Sequence, residues 1–270
     1  MPNLKWPLGL VGALVIISCP QTLAQLETAF VSSFETGLSQ WRRELCCPHS
    51  AATVTSPTRD GSYALKLTLN RTDPDVQRSK RAEIKLDPVA ANSEYTYHFS
   101  LYLPDDYHPD PESEIVAQWH SRPDFDQGES WPGGPPLALH TIRGRWLLYR
   151  LWDSQPVTQH RQPEGRQKID LGPYQTGAWT DWTFRIRWAW DGQGQISVWQ
   201  GDSLLWQTQG PNTYNDRLGP YFKLGLYKPA WRWRPERSQL DQRTLYVDRV
   251  IVQRHQPFSP TGAASTPKNL

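Results

Sequence analysis

Apolar and polar residues alternate along this chain in short runs, which is the pattern of half-buried β-strands. Between residues 28 and 254 roughly a dozen such runs are separated by turn-like segments. The clearest run covers residues 180–190, where every second residue is aromatic or aliphatic. No long stretch has the helical period. The pattern therefore predicts an all-β domain, a two-sheet antiparallel β-sandwich of jelly-roll type.

Four long segments between the runs are predicted to be loops. They cover residues 70–80, 120–136, 154–178 and 228–242. Long loops on a rigid sandwich concentrate ligand contacts. Trp131 in the second loop, and Trp231 and Arg232 in the fourth, are therefore candidate substrate contacts. The segments 136–142 and 145–152 are predicted to pair as a hairpin, which presents His140 as a further groove candidate.

Three predicted strands, at 81–86, 115–120 and 221–227, carry functional polar groups on one face and apolar groups on the other. The polar-face residues are Arg81, Glu83, Lys85, Gln118, His120, Tyr221, Lys223 and Tyr227. If these faces line one concave groove, the groove contains cations, an amide, a histidine and tyrosines. This set of groups suits an acidic sugar.

The composition agrees with a turn-rich β-protein. The 270 residues include 14 Trp, 11 Tyr, 24 Pro and 18 Gly, and only one Met. Most of the Trp residues are expected in the core, and the rest could stack on sugars. The net charge of +2 gives no reason to expect a nucleic-acid partner.

Residues 1–24 are predicted to be a secretory signal, with an apolar run too short for a typical membrane span. The folded domain is expected over 25–255 and a disordered tail over 256–270. The protein would then be secreted or periplasmic. As an alternative, the segment ending in Cys19 resembles a lipoprotein box, which would add a lipid anchor at the outer cell surface.

Cys46 and Cys47 are adjacent, and the sequence leaves open whether they are free thiols or a vicinal disulfide. No cysteine or histidine spacing of a metal site accompanies them. No metal ligands and no required cofactor are predicted.

In order along the chain, the motifs Arg81-Ala82-Glu83, Gln118-Trp119-His120 and Tyr221-Phe222-Lys223-Leu224-Gly225-Leu226-Tyr227 resemble those of the jelly-roll polysaccharide lyases. The resemblance covers roughly 28–254. It is nearest to the heparin lyase I-like and glucuronan lyase (family 20) branch, which is related to the family 7 alginate lyases. Pro229 stands where the alginate enzymes usually have Gln, and this departure disfavours an alginate substrate.

The resemblance implies β-elimination on a uronate polymer, glucuronan-like in the first instance. Gln118 and Arg81 would neutralise the carboxylate, and His120 would act as a base or neutraliser. Tyr227 would protonate the leaving oxygen, and in a syn elimination would take the proton as well. The chain is expected to act as a monomer on an acidic polysaccharide. The resemblance also makes a structural Ca²⁺ an option, with no ligands identified.

Two other functions use the same fold. A glycoside hydrolase would need paired carboxylates, commonly as ExDxxE on one strand, and no such run is present. A non-catalytic carbohydrate-binding module or lectin would keep the sandwich and the Trp residues, but would not need Gln118, His120 and Tyr227 together.

Overall fold

The computed structural model describes residues 26–256, so the predicted signal segment with Cys19 and the tail beyond Gln256 lie outside the described residues. Fifteen strands form two antiparallel sheets, and one short α-helix, α1 (Ala230–Trp233), occurs in the part of the chain described. Among these residues no helix is long and apolar enough to cross a membrane.

The first sheet pairs in the order β13-β12-β11-β6-β15-β4-β3, with β1 added beside β15. Its strands are β1 (Leu26–Ser32), β3 (Ala51–Val54), β4 (Ala64–Asn70), β6 (Glu94–Leu103), β11 (Ala178–Arg187), β12 (Gln195–Gln200), β13 (Ser203–Gln209) and β15 (Gln242–His255).

The second sheet bears the groove and pairs in the order β10-β9-β8-β7-β14-β5-β2. Its strands are β2 (Arg42–Glu44), β5 (Arg81–Lys85), β7 (Glu114–His120), β8 (Leu137–Ile142), β9 (Arg145–Trp152), β10 (Gly165–Pro173) and β14 (Tyr221–Tyr227).

The core lies between the two sheets and is rich in aromatic side chains. Trp119 of the second sheet packs against Phe184 of the first, with ring centroids 4.7 Å apart. Phe222 of the second sheet likewise packs against Tyr97 and Phe99 of the first. Each of these residues occupies an apolar position of the alternation described above, so the pattern and the core agree.

The predicted all-β sandwich is confirmed, including the hairpin at Arg143 and Gly144. One predicted loop is wrong in part, because residues 154–178 contain the edge strand β10. Most of β10 is exposed, and only Ile169 and Leu171 pack towards the core, so its apolar alternation is too short to indicate a strand. Cys46 and Cys47 form a disulfide.

Candidate active site

The three strands with polar faces are neighbours in the second sheet, with β14 between β7 and β5. Lys223 of β14 pairs with Gln118 of β7 on one side and with Lys85 of β5 on the other. At the other end of β14, Tyr227 pairs with Arg81 of β5. The antiparallel register thus assembles residues from three distant parts of the chain on one face.

Gly225 makes this pairing possible. Its φ of +138° is strained for any residue with a side chain, and an added Cβ would lie 2.2 Å from the Ala82 carbonyl oxygen. The register between β14 and β7 shifts here, as in a β-bulge.

Beneath the groove, five charged side chains form one hydrogen-bonded cluster, here called the groove network. Its members are Glu44, Arg81, Glu83, Lys85 and Lys223. Lys223 Nζ lies 2.7 Å from Glu44 Oε2 and 2.6 Å from Glu83 Oε2. Gln118 joins the cluster by donating its amide N–H to Glu83. Three cations face two carboxylates, so the network holds one surplus positive charge.

The two carboxylates of this network are 1–2% exposed. Burial alone would raise the pKa of Glu44, but Lys223, Lys85 and Arg81 lower that pKa to about 2. Glu44 is therefore ionised at neutral pH, and the network is a set of fixed charges.

His120 is held as a neutral imidazole with a defined tautomer. Burial and the positive charges of Lys223 and Arg81 lower its pKa to about 4. Its Nδ1 lies 3.1 Å from the Ser121 carbonyl oxygen. Because a carbonyl only accepts, Nδ1 carries the hydrogen and Nε2 keeps a lone pair. His120 can thus accept a proton at Nε2.

Tyr227 lines the same groove from the other end of β14. The guanidinium of Arg81 lies 4.5 Å from the centre of its ring. The strand neighbour of His120 is Tyr221, with ring centroids 5.3 Å apart. Six residue-to-residue steps, about 20 Å of extended strand, lead from Tyr221 to Tyr227. Gln118, which pairs with Lys223, lies between these two ends of β14.

The groove has a volume of about 930 Å³ and extends across the sheet to β10. Its walls come from the loops that carry Arg78, Trp131 and Arg161. Arg81, Arg166 and Lys168 add further positive charge. The groove residues that the structure describes include no Asp or Glu.

One row of residues crosses the sheet from the centre of the site. The register pairs Gln118 with Ala138, Ala138 with Tyr149, and Tyr149 with Lys168. His140 stacks on Tyr149, with ring centroids 4.2 Å apart, and its buried Nδ1 has no hydrogen-bond partner among the described residues. Burial lowers its pKa to about 3, so this imidazole is neutral.

The predicted site residues fall into three places. Those that line the groove are Arg81, Gln118, His120, Trp131, His140 and Tyr227. Lys223 and Glu83 are buried beneath it, and Lys85 is partly buried beside Glu44. None of these three residues is among those that line the groove.

The prediction for Trp231 as a groove residue is wrong. Its side chain is 3% exposed, packs in the core, and donates a hydrogen bond to Ser238. Arg232 does not line the groove either, since its guanidinium pairs with Asp75 of a neighbouring loop at 2.8 Å.

Glu44, Tyr149 and Lys168 are among the residues of the site that the sequence did not predict. Glu44 belongs to a three-residue strand, too short to show alternation. Tyr149 was part of a predicted strand, but its place in the groove follows from a register that local sequence does not encode. Lys168 lies on the unpredicted edge strand β10.

Among the described residues, one group of three potential metal ligands occurs, Cys46, Cys47 and Asp73. Its two sulfurs are joined in the disulfide, and Ca²⁺ requires oxygen ligands, so this group does not fit the calcium ion that the resemblance implies.

Comparison with known proteins places these observations in a family. Residues 31–251 match the family model described as polysaccharide lyase. A search of curated proteins by sequence gave no match.

Solved structures share the fold at low sequence identity. An endo-β-1,4-glucuronan lyase from the fungus Trichoderma reesei superposes with a TM-score of 0.69 and 22% identity, covering 84% of this chain and 95% of that one. A family 7 alginate lyase, A1-II′, gives 0.53 and 13%, covering 84% and 100%. The protein called cellulose induced protein, Cip1, gives 0.53 and 15%, covering 83% and 96%.

The family match spans most of the chain, and the groove carries the three motifs in the expected order on adjacent strands. The protein belongs to the polysaccharide lyase family.

Proposed function

We propose that the protein cleaves a uronate polymer by β-elimination, with glucuronan as the preferred substrate class. The observation that carries this proposal is the convergence of Arg81, Gln118, His120 and Tyr227 on one cation-rich groove. The glucuronan lyase among the structural neighbours, and the departure from the alginate pattern at Pro229, favour glucuronan over alginate.

The difficulty of the reaction is the weak acidity of the proton on carbon 5 of the uronate. A carboxylate that keeps its full negative charge disfavours the carbanion beside it. Arg81 donates to Glu44 and Glu83 through Nη1, which leaves Nη2 for the substrate carboxylate. Together with the Gln118 amide and the surplus charge beneath, it would stabilise the enolate-like intermediate.

The proton transfers follow from the protonation states of the two remaining groups. His120 Nε2 takes the proton from carbon 5, the C4–O bond breaks, and a C4=C5 double bond forms. The Tyr227 hydroxyl gives its proton to the leaving oxygen. Transfer of a proton from His120 back to Tyr227 through solvent restores the enzyme. In a syn elimination Tyr227 would carry out both transfers, and His120 would then only help bind the substrate.

The long axis of the groove suits a polymer. Three interstrand steps, about 14 Å, separate β7 from β10 along the row from Gln118 to Lys168. Tyr149, Arg166 and Lys168 line the groove along this row, and Lys168 and Arg166 offer charge to further carboxylates.

Hydrolysis on this groove has less support. Glycoside hydrolases use two carboxyl groups on either side of the scissile bond. The described groove lining has none, and the buried Glu44 and Glu83 are already occupied by the cations of the groove network.

The proposed function includes secretion, because such polymers are extracellular, and the enzyme is expected to act as a monomer. The basis is the signal-like sequence of residues 1–24, with the lipid anchor at Cys19 as the alternative.

The test is ultraviolet absorbance of residues 25–270 mixed separately with glucuronan, alginate, heparin and pectate. Elimination creates a conjugated double bond that absorbs, and we expect a rise with glucuronan. His120→Ala and Tyr227→Phe should each reduce the rate by about 10²- to 10⁴-fold.

Tyr221→Phe is the matched comparison, since it removes a hydroxyl from the same strand and groove. We expect it to change the rate by only a few-fold. If Tyr221→Phe is the inactive variant and Tyr227→Phe is active, the assignment of the acid is wrong. New reducing ends without absorbance would contradict elimination altogether.

A further inference from the structure

Glu44 occupies a central place in the groove network although it comes from the short edge strand β2. It pairs in register with Glu83 of β5 and is 2% exposed. Its carboxylate accepts hydrogen bonds from Arg81 at 2.9 Å, Lys85 at 2.6 Å and Lys223 at 2.7 Å. All three cations of the network therefore meet at Glu44.

The consequence for Arg81 is a fixed orientation. Its Nη1 is shared between Glu44 and, at 3.3 Å, Glu83, while its guanidinium packs on the Tyr227 ring. Glu83 is also bonded by Lys223 and Gln118, so it cannot hold Arg81 alone in the same geometry. Glu44 supplies the second anchor.

We propose that Glu44 is a positioning residue for the elimination, acting through Arg81 and Lys223 rather than by touching the substrate. This rests on the proposed function. Glu44 holds Arg81 with Nη2 directed to the uronate carboxylate, and it keeps Lys223 beneath Gln118 as a fixed charge.

Removal of this charge should affect turnover more than substrate binding. Without Glu44, three cations share one carboxylate, and their repulsion displaces Arg81 from its place beside Tyr227. The stronger positive potential still attracts a polyanion in the ground state. Stabilisation specific to the transition state is lost, since it depends on preorganised donors.

The experiment compares Glu44→Gln, Glu44→Asp and Glu94→Gln with the wild type, using residues 25–270 and the glucuronan absorbance assay. Glu94 is the matched control, because it is also a carboxylate in an ion pair with an arginine, Arg185, but lies on the opposite sheet. Circular dichroism establishes the folded fraction of each variant, and kcat and KM are reported per folded molecule.

We expect Glu44→Gln to lower kcat by about 10- to 100-fold, with KM unchanged or lower. Glu44→Asp retains the charge and should recover part of the lost kcat. Glu94→Gln should stay within about twofold of the wild type. If Glu44→Gln does not fold, the same split between kcat and KM is expected, in weaker form, in Glu44→Asp.

A folded Glu44→Gln with wild-type kcat would overturn the proposal, as would a change confined to KM. A merely structural role would lower the folded fraction and leave kcat per folded molecule intact. Absence of elimination by the wild type on every polymer would overturn the proposed function itself, a result distinct from failure at Glu44 alone.

Discussion

The groove network has a counterpart at one end of the sandwich, here called the end network, built from similar residues. Its members are Asp110, Glu114, Lys228 and Arg243. Glu114 lies 3.1 Å from Lys228 and 2.7 Å from Arg243, and it also accepts a hydrogen bond from Tyr107. Arg243 belongs to the first sheet and Glu114 to the second, so this network joins the two layers.

The two networks differ in charge balance and in access. The end network pairs two cations with two carboxylates, and all four members are 3% exposed or less. The groove network has three cations for two carboxylates, and Arg81 reaches a groove open to solvent. A balanced, closed network serves stability, whereas a surplus charge beneath an open groove is available to an anionic ligand.

The largest expected effect of this difference is on stability. Glu114→Gln leaves Lys228 and Arg243 buried without their shared carboxylate, so the free energy of unfolding should fall by about 3–5 kcal/mol. Turnover per folded molecule should remain close to wild type. Urea unfolding followed by fluorescence, together with the absorbance assay, measures both quantities.

Glu94→Gln again provides the control, because loss of that more exposed pair should change the unfolding free energy by about 1 kcal/mol or less. A Glu114→Gln protein of unchanged stability, or one with reduced kcat when folded, would remove the distinction between the two networks.

A smaller effect is expected at the far end of the groove. Lys168→Ala removes one exposed cation from the row that begins at Gln118, so KM for long polymers should rise about fivefold, near 1 kcal/mol. kcat should stay unchanged because Lys168 is remote from the reacting bond. Added salt should reduce the difference between variant and wild type.

Arg185→Ala, which removes a cation from the opposite sheet, is the comparison for that variant. Equal effects of the two substitutions would mean that total charge, rather than the row across the second sheet, determines affinity.

The smallest expected effect concerns pH. The pKa of His120 in the folded protein is lowered to about 4, below its ordinary value, so the base form persists as pH falls from 7 to 5. We expect the titration of His120 to change kcat/KM by less than about twofold over this interval. kcat/KM should fall only near pH 4. An acidic limb near pH 6.5 would contradict the proposed environment of His120.

The lowered pKa of His120 also affects the stability of the folded protein, over a pH interval in which we expect kcat/KM to stay nearly constant. The folded state binds fewer protons at His120 than the unfolded state between about pH 6.5 and pH 4. The contribution of this residue to stability is therefore complete above pH 6.5 and declines as the pH approaches 4.

The sequence predicts which side chains face the core and which face the groove wherever a strand has one buried face. The alternation in residues 221–227 correctly separates Phe222, Leu224 and Leu226 in the core from Lys223 and Tyr227 on the groove side. The same reasoning placed Gln118 and His120 together on the groove face of β7.

The parts of the site that the sequence does not predict depend on contacts between distant segments of the chain. Glu44 enters the site because β2 pairs with β5, a non-local pairing without a local signature. Trp131 and Trp231 both belong to long predicted loops, yet only Trp131 lines the groove, because packing of the loops decides their burial. Lys168 was missed because an exposed edge strand resembles a polar loop.

The most direct test of elimination at this groove is mass spectrometry of the fragments released from a glucuronan oligosaccharide. Elimination adds no water, so the fragment with the new non-reducing end should be lighter by one water than the corresponding saturated saccharide. That fragment should disappear with Tyr227→Phe. Release of fragments that all have the full mass of saturated saccharides, with none lighter by one water, would show hydrolysis and contradict the account.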